Sequence, residues 1–235
     1  MNVLICKCAN VLMVGRVYGV LLCSIILAAC SDLDKPVVSE FTYEIPRPWG
    51  KDSINRTYKY KNIIADQLSL TRLEDGVDSF ELRLWSAITI AQPEHLNILK
   101  KTKTGWQCMT YRIWSHVTSL KNIELAQYIV DSVQIFAKIP LYDWGLFLDS
   151  LKNEDLLTLP SEDDIKGFEN SVMDGTVHYI EYATPSKYKF YIYSNPHAYP
   201  EIPECMHMNN ILGIWARNVG GVFYRPAKIS KSTNQ

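Results

Sequence analysis

Phe80-Glu81-Leu82-Arg83-Leu84-Trp85 alternates apolar and charged side chains until Trp85 breaks the polar face. A period of two marks a β-strand lying with one side on a core. Asp75-Gly76, just before it, is a turn signal. Working outward, Leu96 to Lys101 and Trp106 to Val117 read as two further strands, joined through Lys103-Thr104-Gly105. Val133, Ile135, Ala137 and Ile139 alternate with Gln134 and Lys138, giving a fourth strand that Pro140 stops.

A helix follows, because Trp144, Phe147, Leu148 and Leu151 fall at i, i+3, i+4 and i+7, and Asp143 stands at the capping position. Leu159-Pro160 closes that unit, and Ser161-Glu162-Asp163-Asp164 reads as a solvated acidic loop. Asp174-Gly175 introduces a hairpin of Thr176 to Tyr182 and Lys187 to Ser194, ended by Asn195-Pro196. A last helix spans about Pro203 to Val219, with Met208, Ile211, Leu212 and Trp215 on one face and Gly220-Gly221 at its stop. Strands adjacent in sequence, with helices set apart, predict an α+β fold. Its sheet is mainly antiparallel hairpins, with the mid-chain and C-terminal helices packed on it.

The N-terminus carries a different signal. Lys7 and Arg16 precede a thirteen-residue run, Val17 to Ala29, without Asp, Glu, Lys or Arg, and the first acidic residue is Asp32. Basic, then apolar, then small is the order of a secretory signal. The run is shorter than the roughly 20 residues of a membrane-spanning helix. Met13 serves as an alternative start, since Arg16 then supplies the positive charge. At the exit, Leu27-Ala28-Ala29-Cys30 resembles the lipobox of bacterial lipoproteins. That resemblance implies cleavage before Cys30, a diacylglycerol on its thiol and an acyl group on its new amine. More than one chain is what stable anchoring requires, at about 0.8 kcal/mol per buried methylene. Residues 1–29 are then the signal peptide, 30–40 a lipidated tether and 41–235 a single globular domain. Ser31, where an aspartate would retain an enteric lipoprotein at the inner membrane, implies a cell-envelope location on the outer membrane. Asp32 and Asp34 are similar to the surface-export signal of gut-type Bacteroidota lipoproteins. The order Trp144…Leu148…Leu151…Leu159-Pro160, Asp174-Gly175-Thr176…Tyr179-Ile180-Glu181 and Tyr193-Ser194-Asn195-Pro196 resembles uncharacterised lipoproteins of that phylum, which carries no activity with it.

Composition narrows the function. Losing Lys7 and Arg16 with the signal takes the formal charge from −1 to −3. No basic surplus is left for phosphate contacts, so no nucleic-acid partner is expected. Six cysteines fall to three, of which Cys30 is lipidated. Cys108 and Cys205 either pair as a disulfide, as an exported protein permits, or stay as buried thiols. No Gly-x-Ser-x-Gly, His-Glu-x-x-His, P-loop or Gly-x-Gly-x-x-Gly occurs, so no catalytic residue and no cofactor is expected. His197, Cys205 and His207 are the nearest thing to a zinc set, and their spacing fits no standard site. Glu81 and Glu181 lie on strands from which either could enter a pocket.

The aromatic density of the second hairpin is the most suggestive feature. Alternation puts Tyr188, Phe190 and Ile192 on one face, read as core, and Lys189, Tyr191 and Tyr193 on the other. Outward Tyr191 and Tyr193 would offer a ligand-binding face for a glycan or a protein partner; alternatively the aromatics are strand formers paired across the hairpin. The expectation is a non-catalytic binding protein of the envelope, with a lipoprotein immunity factor against a toxin or a glycan-active enzyme as alternatives. Replacing Cys30→Ala is expected to release the protein from membranes or leave an uncut precursor, read by detergent partitioning and gel mobility. Unchanged processing and partitioning would refute the anchor.

Overall fold

The computed structural model describes residues 41–46, 56–88, 91–118, 128–169 and 175–220. The expected signal peptide (1–29) and tether (30–40), with Cys30, lie outside these residues. All the described residues belong to one compact unit, Phe41–Gln235. Seven strands form one sheet: β1 Thr42–Glu44, β2 Phe80–Ile88, β3 Ala91–Thr102, β4 Gly105–Val117, β5 Tyr128–Lys138, β6 Thr176–Thr184 and β7 Lys187–Ser194. The helices are α1 Arg56–Gln67, α2 Trp144–Lys152 and α3 Pro203–Val219. Strand order is β1-β7-β6-β2-β3-β4-β5, antiparallel throughout except for β1 on β7. The chain is therefore α+β with a mainly antiparallel sheet.

Both faces of the sheet are covered. On one, Leu84, Ile180, Tyr191 and Tyr193 share a core with Phe147 and Leu151 of α2 and Met208, Ile211 and Trp215 of α3. On the other, Ile64 of α1 packs with Trp85, Leu96, Ile98 and Ile113, and Leu73 packs with Tyr188, Phe190 and Ile192. This corrects the reading of β7. Tyr191 and Tyr193 have no exposed surface, so they form no outward binding face. Alternation distinguishes core from solvent only where one face is wet, and here neither face of β7 is.

Four elements exceed what the sequence announces. Helix α1 shows only a thin stripe, Tyr60, Ile64 and Leu68, and carries neither an acidic first turn nor a basic last turn. Strand β3 begins at Ala91 and β5 at Tyr128, five residues before the first residue of each read from the sequence, and β5 bulges between Val130 and Ser132. Strand β1 joins as a short parallel edge. Helix α2 starts where its cap stands: the Asp143 carboxylate accepts from the Gly145 and Leu146 amides at 2.7 and 3.1 Å.

Side chains meet outer backbone groups at both sheet edges. Beyond β1, the outer amides of β7 donate to the Ser161 hydroxyl (from Ile192, 3.2 Å) and to the Glu162 carboxylate (from Ser194). Glu162 is therefore buried, a correction to the solvated acidic loop. Burial raises its pKa while the Ser194 amide and hydroxyl oppose the rise. On β5 the Gln67 side chain plays the same part, donating to the Tyr128 carbonyl at 2.7 Å and accepting from the Val130 amide at 2.8 Å.

Cys108 and Cys205 are buried free thiols, which corrects the disulfide alternative. Cys205, in the first turn of α3, lies against Tyr193 of β7, and β6, β2 and β3 separate β7 from β4, where Cys108 sits. Four strand spacings are roughly 19 Å, whereas a disulfide needs Cα atoms within about 7 Å. Burial pushes each thiol up to about 12, with Lys138 opposing at Cys108 and Glu162 adding to the rise at Cys205. Both should resist a disulfide-exchange reagent at pH 8, reacting roughly a hundredfold faster in denaturant. Since the unfolded thiols ionise near 9, stability should fall as pH rises above 9. Rapid labelling of the native protein would contradict this burial.

Candidate functional site

The face under α1 holds a buried cluster of charges. Arg83, on β2, donates through Nε to Glu81 at 2.8 Å and through Nη2 to the Thr71 carbonyl at 2.5 Å, and its Nη1 lies 3.6 Å from Glu181. Glu181 also accepts from Trp85 Nε1 at 3.1 Å and from the Tyr188 hydroxyl at 3.0 Å. These groups meet because Glu81, Arg83 and Trp85 share one face of β2, and Arg83 is directly opposite Glu181 on β6. Lys61 of α1 pairs with Glu94 and sits within 4.7, 5.0 and 4.3 Å of the ring centroids of Tyr60, Trp85 and Tyr179. Burial holds the Lys61 ammonium well below the ordinary lysine range, with Glu181 opposing.

The cluster reaches solvent at its Lys100 end. There Lys100 reaches Glu81 Oε2 at 3.3 Å with its own side chain half exposed. A cleft of about 200 Å³ lies above this pair, lined by Leu70 and Thr71 after α1, Ile98 and Lys100 of β3, and Met109 and Tyr111 of β4. Its volume suits one amino-acid side chain or one sugar ring. Burial raises the Tyr111 hydroxyl pKa, Arg83 opposes that rise and Glu81 adds to it, so at neutral pH the phenol is a hydrogen-bond donor in a wall that also carries Glu81, Arg83, Lys100 and Gln107. Beyond the cleft the same face continues across β4 onto β5, where Met109 is opposite Ala137 and Tyr111 opposite Ile135.

Glu81 is within the cleft wall as its strand position allows, and Glu181 is beneath it, tied to Arg83, Trp85 and Tyr188. His197, Cys205 and His207, whose spacing fits no standard zinc site, do not assemble into one among the described residues. Cys205 is in the core, His207 faces Glu154 at 3.0 Å, and among the described residues no three His, Cys, Asp or Glu could hold a metal ion. The Arg83 cluster went unread in the sequence as a site, although the alternation that reveals β2 also puts Glu81 and Arg83 on one face. Comparison with protein-family models, curated proteins and solved structures returned no match.

Arg83→Met should lower unfolding free energy by about 3 kcal/mol, because it leaves buried carboxylates uncompensated. Lys100→Ala, at the exposed end, should change it by less than about 1 kcal/mol. Urea unfolding distinguishes them, and equal midpoints would mean that the buried ions do not hold this face.

Proposed function

We propose that the protein is a non-catalytic interaction protein of the cell envelope, tethered to the outer membrane through lipid on Cys30, and that it engages a partner protein along β5 and the cleft beside it. In this reading α2 and α3, packed on the opposite face, are the rigid backing. The observation that carries the reading is the distribution of exposed apolar side chains. Of the twelve large hydrophobic residues exposed among the described residues, eight fall between Ile129 and Leu146. Ile135 is 51 % exposed, Ile139 85 % and Leu141 72 %. Single exposed residues of this kind are ordinary on a monomer, whereas their concentration on β5 and the turn leading into α2 points to an interaction site. The surface replaces the Tyr191 and Tyr193 face expected from the hairpin.

A polypeptide partner fits this surface better than a glycan. Five of the eight exposed residues of β5, Ile129, Val133, Ile135, Phe136 and Ala137, are apolar, and the polar ones are Asp131, Ser132 and Gln134. Introducing a photo-crosslinking residue at Ile135 in the native envelope should give a discrete protein adduct, and the same residue at Asp149 on α2 should give none. Absence of any adduct at Ile135 would remove the reading.

A further inference from the structure

We infer that β5 accepts an extended segment of another protein as an eighth strand, whose side chains alternate apolar and acidic. The inference rests on the interaction reading above and adds to it the mode of contact and the chemistry of the partner.

The first observation concerns the backbone. The sheet ends at β7 on one side, where β1, Ser161 and Glu162 meet the outer peptide groups, and at β5 on the other. On β5 the Gln67 amide meets Tyr128 and Val130 as a neighbouring strand would, one donor and one acceptor two residues apart. Past that cap, residues 131–138 have no outer backbone partner among the described residues. A run of unpaired peptide groups on an edge is completed by another peptide backbone. Lipid tails would leave those groups unpaired, so a polypeptide and not a membrane is the occupant.

The second observation sets the side-chain pattern. Val133, Ile135 and Ala137 lie on the cleft face, continuous with Met109 and Tyr111. Residues of an added strand on that face meet apolar surface. On the opposite face Phe136 is exposed between two cations, the Arg112 guanidinium at 5.2 Å and the Lys138 ammonium at 5.8 Å from its ring centroid. Neither has an acidic partner among the described residues, whereas Asp131, at the bulge, is paired with His116 at 2.8 Å. Residues of an added strand on this second face therefore meet positive charge, and carboxylates suit them. A second copy of this chain, added antiparallel about an axis in the middle of the free stretch, would gather four cations on that face, which disfavours self-pairing.

The probe is a fluorescent, end-blocked octapeptide, Thr-Glu-Val-Glu-Val-Glu-Val-Thr, titrated into the purified protein and read by anisotropy. Saturable binding is expected, at least tenfold weaker for the peptide with Lys in place of Glu. The double variant Arg112→Glu with Lys138→Glu should reverse that preference. N-methylation of alternate peptide residues separates backbone pairing from side-chain contact: methylating one alternate set should cost at least tenfold and methylating the other set little. Strand addition is overturned by no saturable binding, by equal binding of the acidic and basic peptides, or by equal tolerance of both methylated sets. It is equally overturned if wild-type protein sediments as a dimer that Ile135→Glu dissociates. Binding to phosphatidylglycerol vesicles that Ile135→Glu abolishes would overturn it too. A crosslinked adduct at Ile135 without peptide binding would remove strand addition while leaving the interaction reading in place.

Discussion

Arg83 lies in β2, the central strand of the seven, with 1 % of its surface exposed, and the rest of this face is arranged around that charge. A guanidinium removed from water must have its donors met and its charge balanced. Glu81 and Glu181 supply the balance, the Thr71 carbonyl takes a donor, and Trp85 and Tyr188 hold Glu181 in place. Helix α1 closes over the group and carries in a second cation, Lys61, which is met by Glu94 and three aromatic rings. One face of the sheet is thus fixed by directional ionic contacts and the other by close apolar packing. Hydrophobic burial alone tolerates sliding; a forked guanidinium between two carboxylates admits few positions.

The cover over that face is incomplete. Helix α1 reaches β5 at its beginning, through Gln67 and the Tyr60 ring on Tyr128, and among the described residues nothing else covers the outer half of β4 and β5 on this face. The half-open cleft and the bare edge are consequences of one short helix on a wide sheet. Protection of the two sheet edges is correspondingly unequal: complementary side chains follow β1 along β7, while β5 is capped at one end.

Much of this fold was legible because hairpin strands state themselves locally. The alternation of Phe80 to Trp85 and the paired strands around Thr184-Pro185-Ser186 needed no distant information. The same alternation misled at Tyr191 and Tyr193, because a strand covered on both faces has no wet side for the pattern to report. Helix α1 was illegible for a related reason: its buried face includes Lys61, a residue whose type argues for solvent and whose burial depends on Glu94, more than thirty positions away. Glu162 looked like one of three solvated acids, and only the distant Ser194 amide explains why it turns inward. The candidate site was legible residue by residue, in Glu81, Arg83 and Ile135, but not as a site, since its unity comes from strand order.

That strand order also sets how the chain can assemble. Strands β2 to β5 are successive neighbours and can pair as soon as each is available, whereas β2 meets β6 across roughly 90 residues of intervening chain. The meander therefore has two open borders until the β6–β7 hairpin arrives to close the one at β2. Because Arg83 and Glu81 project from β2 while Glu181 comes on β6, the central ion cluster is completed only at that late docking. Strand pairing between consecutive neighbours comes first, and electrostatic neutralisation of the core is the step that locks the two halves of the sheet together.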